Sequence, residues 1–194
     1  MMKKILVILG HPDSESFNQA MFSNYVNNLE RTKVEVKTIE IGALNFDPNL
    51  KFGYRKRTEL EPDLIESQKK IKWADHLVFI FPLWWGSMPA IMKGFFDRVF
   101  LPGFAFKKRE DSVWWDRFLG GKSARIIVTM DQPPWFFRLR YHRPAYHALK
   151  QMTLQFVGVK RVRYQAMGII RNSSSEQRQK WLKRMENAAK KDSK

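Results

Sequence analysis

Three short segments hold the residue types and spacings that can bind a cofactor or do chemistry. The first is Gly10–Asn18, GHPDSESFN, where Ser16 and Gln19 stand at capping-box spacing. Hydroxyls at Ser14 and Ser16, the Asn18 amide, the open N–H groups of a helix start and the helix dipole suit one phosphate group. His11 could add a donor. The same residues admit a plainer role, with Ser16 only capping the helix and His11 packing on a sheet edge. Neither GxGxxG nor GxxxxGKS/T is present, so dinucleotide-fold and P-loop fingerprints are absent.

The second segment is Pro82–Ser87, PLWWGS. Leu83, Trp84 and Trp85 would be costly to leave in water, so they should cover a flat apolar ligand or an interface. Gly86 lets a ligand approach the backbone, whose N–H groups could meet the polar edge of a heterocycle. Ser87 is placed as a helix N-cap, with Pro89 in the first turn. The third segment is Met130–Trp135, MDQPPW, followed by Phe136 and Phe137. Its two prolines predict an extended loop. Aromatics beside arginines suit a nucleotide or a quinone, and also single-stranded nucleic acid.

Other chemistries lack their residues. There is no cysteine, hence no disulfide, thiolate nucleophile or thiolate metal ligand. The four histidines, His11, His76, His142 and His147, show no HExxH spacing, and His76 opens a strand. No GxSxG elbow supports a hydrolase.

The elements that must position these segments follow from periodicity. Lys3–Leu9 is a continuous apolar run, expected of a strand buried on both faces. Reading it as a strand, with His11–Pro12–Asp13 directly after, disfavours a signal peptide. Phe17, Met21, Tyr25 and Leu29 form a helical stripe. Further strands are expected at Lys33–Ile41, His76–Phe81, Ser123–Thr129 and Val159–Ala166, and helices at Pro62–Trp73, Met88–Phe100, Ala145–Phe156 and Glu176–Ala189. Five strands alternating with helices predict an α/β fold with a parallel sheet covered on both faces. Ligands of such sheets bind beyond the carboxyl ends of the strands, where the three segments lie.

With 194 residues, 44% of them apolar, and no linker or repeat, positions 1–194 are read as one domain. No apolar run approaches bilayer-spanning length. The formal net charge is +16, which attracts polyanions such as nucleic acid or anionic membrane. The excess is uneven: no Asp or Glu occurs from Gln132 to Ser175, where eight arginines and lysines fall. That run is either a solvated face or a functional patch.

HPDSESFNQAM, FPLWWGSMPAIMKGFFDRVF and the basic, aromatic segment after the fourth strand resemble the flavodoxin-like NAD(P)H:quinone oxidoreductases, from Lys3 to about Arg184. The family includes DT-diaphorase, modulator-of-drug-activity proteins and ancillary subunits of potassium efflux systems. The resemblance implies a flavodoxin-like sheet of order 2-1-3-4-5 and tightly bound FAD or FMN. It implies NADPH or NADH as donor and a quinone or similar flat acceptor. His11, Ser16, Phe17 and Asn18 match the family's flavin-phosphate segment. Gln68 matches a glutamine that touches the flavin nucleotide. Pro82, Leu83, Trp84 and Trp85 match the segment lining the flavin ring. Asp97 and Arg98 look structural. Relatives commonly carry a Thr-Thr-Gly-Gly-like turn after strand four, but here Thr129 is followed by Met130, Asp131 and Gln132. These positions are still expected to face the flavin's pyrimidine side. Tyr141, His142 and His147 are candidates for hydride-transfer assistance without a secure match, so no catalytic residue is assigned.

The resemblance also implies a homodimer, which would bury Trp84, Trp85 and the aromatic 104–118 segment. A cytoplasmic location is expected. A nucleic-acid partner is not expected, while peripheral contact with anionic membrane or a transporter remains open. The alternative function is a flavin-binding regulatory subunit of a membrane transporter, or a polyanion-binding module without turnover.

Overall fold

Parallel pairing in the order β2-β1-β3-β6-β7 builds the central sheet of the computed structural model, which describes residues 2–194. Its strands are β1 (Lys3–Leu9), β2 (Val34–Glu40), β3 (His76–Pro82), β6 (Ser123–Met130) and β7 (Arg161–Gly168). A hairpin of β4 (Phe106–Lys108) and β5 (Trp115–Arg117) stands apart within the segment read as an aromatic dimer surface. The order is the one the resemblance implies. Every central pair is parallel, so the carboxyl ends at Leu9, Pro82 and Met130 share one sheet edge.

Alternate strand residues feed two cores. Ile5, Val7, Val78 and Ile80 pack under α1 (Phe17–Glu30) and α6 (Ser175–Asp192). Leu6, Ile8, Phe79 and Phe81 pack under α2 (Pro62–Trp73) and α3 (Ala90–Val99). Both faces are covered, so all seven residues of β3 are buried. This explains its unbroken apolar sequence. The sequence places Met21, Tyr25 and Leu29 of α1 in this core correctly.

Several boundaries differ from expectation for identifiable reasons. Ser87 does not cap α3; Pro89 holds the cap position, and Ser87 is engaged by its backbone in a turn with Trp84. The diproline does not hold an extended loop. Pro134 instead starts a helix, α4 (Pro134–Tyr141), because a first-turn proline lacks only an N–H that has no helical partner there. The expected helix Ala145–Phe156 is a short α5 (Pro144–His147) continuing into a π-helical Ala148–Gln155. Consecutive left-handed residues His142 and Arg143, φ 54° and 55°, separate α4 from α5.

Arg98 is structural, as expected. Its buried guanidinium donates to the carbonyls of Asp47 (2.5 Å) and Glu59 (2.8 Å) and to Glu61 (2.8 Å), tying the long connection before α2 to α3. Asp97 pairs with exposed Lys93. At the opposite, amino edge of the sheet, Asp192 at the end of α6 is 1% exposed. It accepts from Arg125 (2.8 Å), Arg163 (2.9 Å) and the Tyr25 hydroxyl (2.5 Å), with His76 Nε2 3.3 Å away. Burial opposes its charge, but these donors win and hold the carboxyl well below its ordinary range. His76 also bonds Ser123 at 2.7 Å, consistent with a structural role.

Candidate functional site

The three sequence segments meet at the carboxyl edge through backbone and side-chain bonds. Gly10 N–H donates to Ile80 O (2.8 Å), joining the first to the end of β3. Leu83 N–H donates to Thr129 O (2.8 Å), joining the second to the third. Asn18 Nδ2 donates to Thr129 Oγ1 (2.9 Å), joining the third back to the first. Both of those side chains are buried, so this bond is a fixed strut rather than a solvated contact. The edge of the His11 ring meets Trp84, with centroids 5.4 Å apart.

Trp84 and Ser87 exchange backbone hydrogen bonds at 2.9 and 3.0 Å around Trp85 and Gly86. Both central residues have positive φ, 50° and 73°, as a primed two-residue turn requires. Glycine takes that conformation freely, whereas tryptophan does so at a cost. The turn's paired bonds use Trp84 and Ser87, leaving the Trp85 and Gly86 N–H groups outside them.

This turn forms one wall of a cavity of about 770 Å³. Leu83, Trp85 and Gly86 line it from the second segment, and Met130, Asp131 and Gln132 from the third. Phe137 and Tyr141 of α4 and Ala145 of α5 close the remaining side. The volume lies within the range of about 300–1,000 Å³ usual for small-molecule and cofactor sites. Gly168 permits this closure. A Cβ there would sit 2.3 Å from Gln132 O and 2.4 Å from Pro134 Cδ, so only glycine lets the third segment and α4 lie against the end of β7.

The first segment flanks the cavity without lining it. Ser16 caps α1, accepting from Gln19 N–H (3.2 Å). The N–H groups of Phe17 and Asn18, in the first turn of α1, have no intrahelical acceptor by construction. The Phe17 ring turns away to pack on Trp181. Asp13 N–H donates to His11 Nδ1 (3.0 Å), which places the proton of the neutral ring on Nε2. Burial lowers the His11 pKa, against the raising effect of nearby Asp13. His11 therefore presents a neutral N–H donor at neutral pH.

Of the sequence-selected residues, Leu83, Trp85, Gly86, Met130 and Asp131 line the cavity. His11, Ser16, Asn18, Trp84, Pro82 and Thr129 form its struts and margin. Gln68 is not brought to this cavity: from α2 it donates to Val99 O (2.8 Å). Asp131 is exposed and accepts from Arg171 N–H (3.0 Å), pinning the altered turn to the segment after β7. Of the three unmatched candidates, only Tyr141 lines the cavity. His142 caps α4, and His147 packs on Tyr146. Sequence reasoning named Phe137 among the aromatics that suit a nucleotide or quinone, but missed Pro144, Ala145 and Ala148. The signal for the cavity-facing side of α4 was the four-residue spacing of Phe137 and Tyr141 behind a helix-starting proline.

A cofactor with a phosphate and a flat ring fits the donor set. First-turn N–H groups and neutral His11 suit the phosphate, and a cavity with apolar walls and unspent backbone N–H groups suits the ring.

A family model described as a flavodoxin-like fold matches residues 3–190. NAD(P)H dehydrogenase (quinone) 1 of Cavia porcellus is 38% identical over 125 residues, covering 54% of this chain and 46% of that protein. The chain spans about half the length of the curated relatives it matches. Among solved structures, Smu.1420 from Streptococcus mutans UA159 superposes with a TM-score of 0.83 at 35% identity, covering 96% of this chain and 98% of that one. An FMN-dependent NADH-azoreductase from Bacillus anthracis, solved in complex with FMN, superposes at 0.74 with 18% identity and full coverage of both chains, a likeness of fold. Sheet order, the location of the cavity and the match over residues 3–190 agree, and the chain belongs to the flavodoxin-like fold family.

Proposed function

We propose that this chain is a single flavin-binding domain that passes two electrons from NADPH or NADH to a quinone or similarly flat acceptor. The observation that carries the reading is the cavity between Leu83–Gly86 and α4, at the carboxyl edge of a parallel sheet and beside a capped helix start. The quinone-reductase relative supports the same activity. Bound flavin, FMN or FAD, would supply the hydride-accepting and electron-donating chemistry.

The chain's own residues do the positioning. Leu83 and Trp85 give one wall, while Phe137 and Tyr141 give the other. N–H groups of Trp85 and Gly86 supply fixed dipoles for negative charge at the edge of the ring. The first turn of α1 and His11 hold a phosphate. Exposed Arg140, over the ring of cavity-lining Tyr141, attracts the phosphates of the nicotinamide nucleotide, and a 2′-phosphate gains most. NADPH is the favoured donor. The solvent-exposed Trp84, Trp85 and Trp114 give a second copy a surface to cover, and the cysteine-free chain suits the cytoplasm.

The test is oxidation of NADPH and NADH with menadione, by protein loaded separately with FMN and with FAD. Turnover no higher than that of the flavin-free protein refutes the proposal. Mass identification of the cofactor released on denaturation decides between the two flavins.

A further inference from the structure

Helix α4 has two faces, and the cavity uses only one. Helical spacing sets Phe137 and Tyr141 toward the cavity. The same spacing sets Trp135 and Leu139 on the opposite side, where they are 64% and 67% exposed. Arg138 and Arg143 border that apolar pair in one shallow groove, while Arg140 lies over the ring of cavity-lining Tyr141, 5.7 Å from its centroid. A third exposed apolar residue, Ile169, lies next in the chain to Gly168, which packs against Pro134 at the start of α4. Ile169 holds φ 66°, a conformation a β-branched residue adopts only under strain. An apolar centre with a cationic rim is the pattern of an interfacial helix.

The charge around it has one sign. No acidic residue occurs from Gln132 to Ser175, and Asp131, just before this stretch, is paired with Arg171. The structure also divides the basic run. Arg161 and Arg163 lie at the amino edge of the sheet, Arg163 bound to Asp192, whereas Arg138, Arg140 and Arg143 lie at the cavity edge. The patch on α4 is therefore a local feature rather than part of a uniform coat.

We propose that the outer face of α4 docks on an anionic lipid bilayer. Trp135 and Leu139 enter the headgroup–acyl boundary, and Arg138 and Arg143 lie among the lipid phosphates. Each arginine near such a surface raises partitioning roughly fivefold. Since the inner face of α4 lines the cavity, docking sets the cavity mouth beside the lipid, the phase in which a long-chain quinone dissolves. This last consequence rests on the quinone-reductase reading; the docking does not.

Sedimentation of the full chain with vesicles tests it. The expected result is binding to phosphatidylglycerol–phosphatidylcholine vesicles, none to phosphatidylcholine alone, and at least a tenfold loss in the charge-neutral Trp135→Gln and Leu139→Gln. These variants keep every cation, so unchanged binding would mean diffuse charge attraction and overturn the proposal. Equal binding to both vesicle types, or protection of Trp135 by a second copy of the chain in solution, also overturns it. Both residues are exposed, so melting temperatures should stay at the wild-type value; the milder Trp135→Ala and Leu139→Ser replace any variant that fails to fold. Oxidation of NADPH with soluble menadione should not change in these variants, while turnover of a vesicle-embedded long-chain quinone falls. Loss of both activities in the wild type would fault the enzyme reading and leave the vesicle result to decide docking.

Discussion

Trp85 holds a left-handed backbone, φ 50°, while its side chain is fully exposed, so neither conformation nor burial stabilises it in the isolated chain. Such strain persists where function requires it. Asparagine tolerates that backbone far better. Trp85→Asn should therefore raise stability by about 1 kcal/mol in denaturant unfolding. Removing one aromatic wall should weaken flavin binding about tenfold by fluorescence titration, the effect of an aromatic contact of about 1.4 kcal/mol. At the amino edge, the Asp192 carboxyl is held below its ordinary range by Arg125, His76 and Tyr25. A depressed folded-state pKa contributes stability that is fully present above the unfolded value and lost as pH falls through about 4 and below. Asp192→Asn should cost about 3–5 kcal/mol at neutral pH, because two guanidinium groups lose a buried partner. Melting temperatures measured across the acid range should then depend less on pH in the variant than in the wild type.

Elements were legible where one force dominated. The buried runs of β1, β3 and β6 and the apolar stripe of α1 announce themselves through periodicity, and their order follows from parallel connections. Two site segments were equally legible, since Ser16 and Leu83–Gly86 carry distinct residue types. Helix α4 was not. Its paired prolines signal a break as strongly as a start, and only packing against the end of β7 selects the start. The same limit applies to the π-helical Ala148–Gln155, because its wider turn leaves no separate apolar period over eight residues. The hairpin β4–β5 is three residues per strand, too short for alternation to register. Two glycines test how tightly these elements fit. Gly168→Ala should cost about 1–3 kcal/mol and displace the third segment, since backbone and a proline ring stand in the way. Gly10→Ala should cost less, because the nearest atom, Met92 Sδ at 2.4 Å, belongs to a flexible side chain. Thermal melts of the two variants, with flavin titration of each, compare them directly.

At the scale of the whole molecule, a net charge of +16 opposes compaction through self-repulsion. Ion pairs relieve it locally at Lys93–Asp97, Arg109–Asp116 and Glu186, but they are solvent-facing and contribute little each. Raising ionic strength shortens the Debye length from about 30 Å at 0.01 M to about 8 Å at 0.15 M. The melting temperature should accordingly rise with added sodium chloride over this range, opposite to the behaviour of a protein held by surface ion pairs. A scan of melting temperature against salt, with the Asp192→Asn variant in parallel, separates diffuse repulsion from the buried cluster.

The Asn18–Thr129 strut joins residues 111 positions apart in the chain. Contacts of such long loop span form late, after strands nearer in sequence have paired. The strands β1, β2 and β3 can assemble from the first 82 residues, yet the cavity has no second wall until β6 and α4 arrive. Cofactor capture then becomes a clock for the end of folding. In stopped-flow refolding with flavin present, quenching of flavin fluorescence should lag the recovery of far-ultraviolet ellipticity, and adding more flavin should leave that lag unchanged.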